Sequence, residues 1–265
     1  MDKVYREYFS VAEQYSVPMI LTTTNRLGYK RYTEQFPQTR GRAMTRENVE
    51  FVRKIAADFK APIYIGCIEG CIGDQYVPGE AVKVQEAYDF HREQLEEWVE
   101  SGADFLYSGI MPEINETIGM AKAFSESGVP YQIGFIITDD GKLLDGTTLH
   151  DAINMVDDAT ENPALMFMCN CIHPTNLLHA LEHPFNRTET VRSRLLGTIS
   201  NASMLKPCEL EHCDHIDNAD AVSLVDALIR LYDYHPMRLV GGCCGTNETH
   251  MREIVGRMQA HLKKN

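Results

Sequence analysis

The sequence predicts an α/β fold of the (β/α)8 TIM-barrel type, with seven of the eight strands present. Three observations predict it. Short apolar runs alternate with longer amphipathic stretches along the whole chain, the pattern of parallel strands joined by right-handed helical crossovers. The 265 residues suit one barrel of about 250 residues. Residues able to do chemistry fall at the C-terminal ends of the apolar runs: Thr24 and Asn25, Cys67, Asn170 and Cys171, Asn201, and Cys243 and Cys244. In a barrel those ends converge on one mouth, where active sites are built. An open doubly wound sheet fits the alternation equally well. Length and the placement of the reactive residues select the barrel. No low-complexity tract, charge block or linker-like stretch interrupts the chain, so residues 1–265 read as a single domain.

Taken in order, residues 2–15 read as a helix with Val4, Tyr8, Val11 and Tyr15 on one side. Residues 17–24 form a buried strand. Thr45 then caps a helix reaching about Phe59. Residues 62–67 are the next strand, followed by a loop rich in Gly and Pro. Residues 80–101 form one long helix that stops at Gly102, a C-terminal cap. The remaining strands are 104–108, 130–137, 164–169, 195–201 and 237–241, and the helices between and after them are 113–127, 148–160, 175–182, 218–234 and 248–262.

Composition narrows the function. A net charge of −13 argues against a general binder of nucleic acid or anionic membrane. No apolar run approaches the length of a membrane span, and the polar N-terminus does not read as a signal peptide. Eight cysteines without a secretory signal point to reduced thiols or metal ligands rather than disulfides. A cytoplasmic location is therefore expected.

The stretch 239–246 carries two adjacent cysteines framed by glycines. Neighbouring residues of a regular strand point to opposite faces. Two neighbouring thiols can serve one centre only where the backbone leaves that geometry, which Gly241, Gly242 and Gly245 permit. Cys171 ends another apolar run. Three thiolates brought together suit zinc and leave a fourth position open for a substrate. The plain alternative is that buried cysteines act as small hydrophobes.

These residues resemble the zinc-dependent homocysteine S-methyltransferases. The features that carry the resemblance are Gly241-Gly-Cys-Cys-Gly-Thr246, Asn170-Cys171 followed by Pro174, and the segment from His91-Arg-Glu-Gln-Leu to Gly102-Ala-Asp104. It runs from about residue 4 to residue 258. It implies a (β/α)8 barrel with Zn2+ on Cys171, Cys243 and Cys244, and Thr24, Asn25 and Asn170 at the substrate-binding mouth. Two departures stand out. The family's first strand, with its Asp-Gly-Gly-like turn, has no counterpart, so two strand edges are left to be covered by the N-terminal segment, by a partner, or by a narrower barrel. The glutamate that holds the substrate's amino group in the family falls at Gly109. The resemblance implies an enzyme that moves a methyl group to a thiol, homocysteine or a relative. The partners expected are a small-molecule thiol acceptor and methyl donor, with a homo-oligomer or a corrinoid-type protein as protein partners, and no nucleic acid or membrane. The alternatives are a zinc-retaining enzyme acting on another thiol and a non-catalytic metal-binding subunit.

Cys208, His212, Cys213 and His215 form a second cluster of potential ligands, but their spacing matches no standard zinc pattern and a polar surface loop is the plainer reading. Cys67 reads as core packing or a loop thiol, and Cys71 is open. His91 and Trp98 read as packing. His173 either lines the mouth or is a solvated loop residue, and His179 flanks the same motif.

Overall fold

One sheet holds β1 (Met19–Thr22), β2 (Ile63–Glu69), β3 (Phe105–Met111), β4 (Tyr131–Phe135), β5 (Met166–Ile172), β6 (Leu195–Ser200) and β7 (Leu239–Gly242), all parallel and each beside the next. The computed structural model describes residues 1–23, 44–73, 76, 82–205, 209 and 220–264. Thr24, Asn25 and the cluster Cys208, His212, Cys213 and His215 lie outside the described residues. The strand order never reverses. A doubly wound sheet reverses at a switch point, so the winding is that of a barrel. Among the described residues no ladder joins β7 back to β1, and the sheet is a curled barrel with one strand position open.

Ten described helices surround the sheet: α1 (Asp2–Tyr15), α2 (Met44–Ala56), α3 (Val84–Arg92), α4 (Leu95–Glu100), α5 (Ile114–Ser127), α6 (Leu149–Asp158), α7 (Pro174–Glu182), α8 (Glu189–Arg194), α9 (Ala221–Tyr234) and α10 (Glu248–Leu262). Among the described residues no helix is long and apolar enough to cross a membrane. The ring of helices is continuous where the sheet is not. Arg252 of α10 donates to Ser10 Oγ at 2.9 Å, and Gln259 donates to the Tyr15 carbonyl at 3.0 Å. Tyr5 Oη donates to the Thr22 carbonyl at 3.2 Å. The N-terminal helix thus covers the gap from outside.

Two apolar layers follow from strand alternation. Outward-facing side chains meet the helices in the main core, while Phe105, Tyr107 and Met168 pack with Ile20, Ile199 and Leu239 inside the sheet. Side chains from several strands meeting on one axis are the filled interior of a barrel.

Local chemistry accounts for several boundaries. Thr148 accepts from Asp151 N, and Asp220 accepts from Val222 N and Ser223 N, capping α6 and α9. Asn247 forms a capping box at α10. Gly102 and Gly128 adopt φ of 72° and 71° where their helices stop, conformations that favour glycine. Other expectations are corrected. α1 buries Tyr5, Phe9, Val11 and Ala12, with Tyr8 and Tyr15 half-buried against the same cluster, so of the expected face only Val4 is exposed. The packed face is wider than expected and includes Phe9, which meets Phe59 edge-on with ring centroids 5.5 Å apart. Thr45 does not cap α2. It sits in the first turn, and its Oγ1 donates to Glu97 Oε1 at 2.7 Å. The long helix expected over 80–101 is broken between α3 and α4. The break separates His91, which turns to Glu116, from Trp98, which reaches Glu69.

Glu69 ends β2 and is fully buried. Trp98 Nε1 donates to its Oε1 at 2.7 Å, while Oε2 has no hydrogen-bond partner among the described residues. Burial raises its pKa well above the usual carboxylate range, opposed by the Trp98 hydrogen bond. A carboxyl with a raised folded pKa favours the fold fully below its unfolded value of about 4.3 and loses that stability as pH climbs towards the folded value. Glu69→Gln removes this dependence. The urea midpoint of the variant relative to wild type is expected to rise steadily from pH 5 to pH 9, and a constant difference would contradict the assignment.

Candidate metal centre

Cys243 and Cys244 follow β7 directly. Cys243 N donates to the Ser200 carbonyl at 2.7 Å, and Ala202 N donates to the Cys244 carbonyl at 3.0 Å, so the pair is clamped to the end of β6. The turn closes on itself: Thr246 N and Oγ1 both donate to the Cys243 carbonyl, at 3.1 and 2.7 Å. A Cβ at position 242 would lie 2.4 Å from Thr246 Oγ1 and 2.8 Å from its Cβ, so only glycine lets the turn close. Gly245 supplies φ of 75°. Gly241 has open space and ordinary φ, so two of the three framing glycines are required and one is not.

Cys171 comes from the other side of β6. Its backbone φ is 57°, a left-handed conformation costing about 1–2 kcal/mol in a non-glycine residue. The β5–β6 register shifts at this point, between Asn170 and Ile172. Regular alternation would send Asn170 and Cys171 to opposite faces. The bulge re-aims the cysteine, and its sulfur meets the β7 turn. Sγ of Cys171 lies 3.2 Å from that of Cys243 and 3.3 Å from that of Cys244, and Cys243 and Cys244 are 4.0 Å apart.

Those separations are too long for a disulfide of about 2.05 Å. They bracket the roughly 3.8 Å between sulfurs that share a tetrahedral zinc at Zn–S of about 2.3 Å. The three sulfurs lie within 4.8 Å of one another and form the one Cys/His/Asp/Glu group among the described residues with metal-binding geometry. Cys171 is buried, Cys243 half-buried and Cys244 exposed, which leaves one side of the cluster open. The donors fit zinc in type and in spacing.

Crowding opposes ionisation of the thiols when no cation is present. Cys243 is driven far above the ordinary thiol range by its contact with Cys171, then by Cys244 and by burial. Cys171 is raised too: the Cys243 hydrogen bond pulls it down, but the Cys244 contact and burial outweigh it. A divalent cation would take the place of these protons.

The walls are mostly hydrocarbon. Ile110, Ile136 and Leu144 pack against Cys171 and Cys243. Ile110 holds φ of 62°, an outlier for a β-branched residue, beside a register shift between Ser108 and Met111. At Gly109 an added Cβ would lie 2.6 and 2.7 Å from Ile68, so isoleucine fills the space a longer side chain would need. A cleft beside Cys171 is lined by Thr138, Asp139, His173 and Asn176. His173 is buried and caps α7: its Nδ1 accepts from Thr175 N at 3.2 Å, which leaves the proton on Nε2. Burial, then the charge of Arg230, lowers its pKa.

Asn170 faces the barrel interior, where Nδ2 donates to Tyr107 Oη and Oδ1 accepts from Ile199 N at 3.2 Å. Asn201 is buried, and its Oδ1 accepts from Ser203 N. Cys67 is buried core, as is Cys71, whose Sγ donates to the Gly73 carbonyl at 3.4 Å. His179 is exposed on α7. His91 is buried but does more than pack, since it bonds Glu116 at 3.1 Å. One contact was not legible in the sequence: Tyr76 Oη lies 3.4 Å from Cys171 Sγ. A tyrosine in a Gly- and Pro-rich loop carries no local signal of its destination.

Comparison with known proteins bears on the same residues. The family model described as homocysteine S-methyltransferase matches residues 1–258. The chain is 24% identical to homocysteine S-methyltransferase 2 of Saccharomyces cerevisiae, over 98% of this chain and 82% of that protein. It is 24% identical to homocysteine S-methyltransferase YbgG of Bacillus subtilis, over 69% of this chain and 56% of that protein. The metallated crystal structure of the homocysteine methyltransferase MmuM from Escherichia coli superposes with a TM-score of 0.74 at 20% identity, covering 97% of this chain and 83% of that one.

Proposed function

Because the chain belongs to the homocysteine S-methyltransferase family, we propose that it transfers a methyl group to a thiol, homocysteine or a related acceptor, at a zinc ion held by Cys171, Cys243 and Cys244. The observation that carries this reading is the meeting of three sulfurs from two remote segments, with one side open. Zinc supplies Lewis acidity, which lets a thiol acceptor ionise at neutral pH although a free thiol has a pKa of about 8.5.

The protein's part is placement. The bulge at Cys171 and the closed turn at 242–246 hold the sulfurs in position before any ligand arrives. Holding acceptor, methyl group and leaving group in line is the main contribution expected of the walls. Ile110, Ile136 and Leu144 exclude water from one side. The cleft at Thr138, Asp139 and His173 offers the acceptor a polar approach. Asn170, bonded at both ends of its amide, braces the floor. In this reading residues 1–265 act as one domain in the cytoplasm, where free cysteines stay reduced, and the methyl donor is a small molecule or arrives on a corrinoid-type partner.

Metal analysis of the purified protein, followed by a screen of thiol acceptors, tests the reading. About one zinc per chain is expected, and a protein with no metal and no thiol methylation refutes it. Acid should release the metal, because protons compete for the same sulfurs. Zinc measured after dialysis is expected to fall between pH 7 and pH 5, and retention at pH 5 would contradict a three-thiolate site. The filled space at Gly109 predicts weak binding of free homocysteine. Calorimetry on the zinc-loaded protein is expected to give a Kd well above micromolar, and micromolar affinity would show that another residue takes over the role of the family's glutamate.

A further inference from the structure

The chemistry above does not use Glu116, a buried residue in the first turn of α5. Glu116 of α5 and His91 of α3 are both buried, and their side chains are 3.1 Å apart. The same Glu116 oxygen, Oε1, accepts from Ile72 N at 2.6 Å. Ile72 is not part of either helix. It belongs to the segment that leaves the end of β2 at the mouth of the barrel. The backbone N–H donates to a carboxyl oxygen at short range, and leaving that buried oxygen without its partners would be costly. Ile72 is therefore pinned to α5 through Glu116, which is itself held by His91 of α3.

Four chain positions beyond Ile72 is Tyr76, whose hydroxyl lies 3.4 Å from Cys171 Sγ. A chain of four residues spans at most about 14 Å. The anchor at Ile72 thus limits where Tyr76 can reach. Resting on the reading of the three cysteines as a metal site, we propose that Glu116, clasped by His91, is a positioning residue for that site: it fixes Ile72 so that the Tyr76 hydroxyl lies on Cys171. Groups that hydrogen-bond a metal ligand orient it and tune its affinity for the metal. Here the phenol would serve the sulfur, and the buried pair would serve the phenol.

The test is a double-mutant cycle on Glu116→Asp and Tyr76→Phe, read as zinc affinity by competition with a chromophoric chelator. Glu116→Asp draws the carboxylate back by one methylene and keeps its charge. Each single variant is expected to bind zinc about tenfold more weakly, the low end of the range for outer partners of a metal site. The double variant is expected to match the singles, because both changes remove the same contact. Glu116→Gln keeps an oxygen for Ile72 N and is expected to stay within about twofold of wild type. Wild-type affinity in Glu116→Asp, or losses that multiply to about a hundredfold in the double variant, would overturn the proposal. A second reading needs no metal. In the metal-free protein, the alkylation rate of Cys171, followed by peptide mapping, is expected to rise equally in the two single variants and no further in the double. An unchanged rate overturns the proposal. Failure of wild type to bind zinc would instead sink the metal reading, with the alkylation result still deciding the role of Glu116.

Discussion

Cys243→Ser is expected to strip the protein of zinc. Bound metal after dialysis should drop from about one per chain to a small fraction, a larger loss than the roughly 10–100-fold weakening that follows removal of an outer partner, and thiol methylation should vanish with it. A serine hydroxyl is not ionised by neutral pH and is a poorer partner for zinc than thiolate. The position is not replaceable by its neighbours, since the three sulfurs form a triangle with sides of 3.2, 3.3 and 4.0 Å in which each supplies one ligand. Cys169→Ser supplies the control. Cys169 sits two residues before Cys171 but faces the main core, fully buried, with burial raising its pKa. That variant should lose stability and keep its zinc. Full zinc in Cys243→Ser, measured by metal analysis, would remove the three-cysteine site from consideration.

Trp98→Ala is expected to lower unfolding stability by about 3–5 kcal/mol, the range for deleting a large buried aromatic. A domain's whole stability is of the order of 5–15 kcal/mol, so the variant should be near the edge of folding. Two losses combine. The indole is 1% exposed and meets Phe124 edge-on at 4.9 Å, so its removal opens a cavity in the main core. Its Nε1 is also the hydrogen-bond donor to buried Glu69, whose carboxyl would then lack a partner on both oxygens among the described residues. Trp98→Phe keeps most of the volume and drops only the donor, and should cost about 1–3 kcal/mol. Urea denaturation followed by circular dichroism separates the two. A loss below about 1 kcal/mol for Trp98→Ala would mean that the site collapses around the missing ring.

Trp98 also shows how sequence and structure divide the work. Read from the chain, His91 and Trp98 are two residues seven apart on one long helix, and packing is the economical account of both. That account describes Trp98 well and His91 only partly. The helix breaks between them, and each delivers a polar contact to a different buried carboxylate, Glu116 and Glu69. Nothing local signals the break, because residues 93 and 94 are ordinary helix formers. It is a tertiary decision. The choice between Val4 and Tyr5 on α1 has the same origin, since both continue a helical apolar spacing and it is the neighbouring rings of Phe9 and Phe51 that engage Tyr5.

The metal centre divides along the same line. That Cys243 and Cys244 must leave regular strand geometry follows from the strand period of two and the adjacent glycines, and the turn at 242–246 bears this out. The need for a matching distortion at Cys171 follows from the same rule, because Asn170 and Cys171 are also neighbours, yet nothing in Asn-Cys-Ile marks a left-handed residue.

What the chain determined alone is therefore local or periodic: alternating strands and helices, the stops at Gly102 and Gly128, and a cysteine pair unable to sit in a plain strand. Each depends on interactions within a few residues, which composition and spacing record directly. Only the tertiary structure decided that Cys171 meets a sulfur 72 positions away, that Tyr76 rests on it, and that Ile68 fills the space at Gly109. Those meetings depend on the register of neighbouring strands, where a shift of one residue turns a side chain to the opposite face.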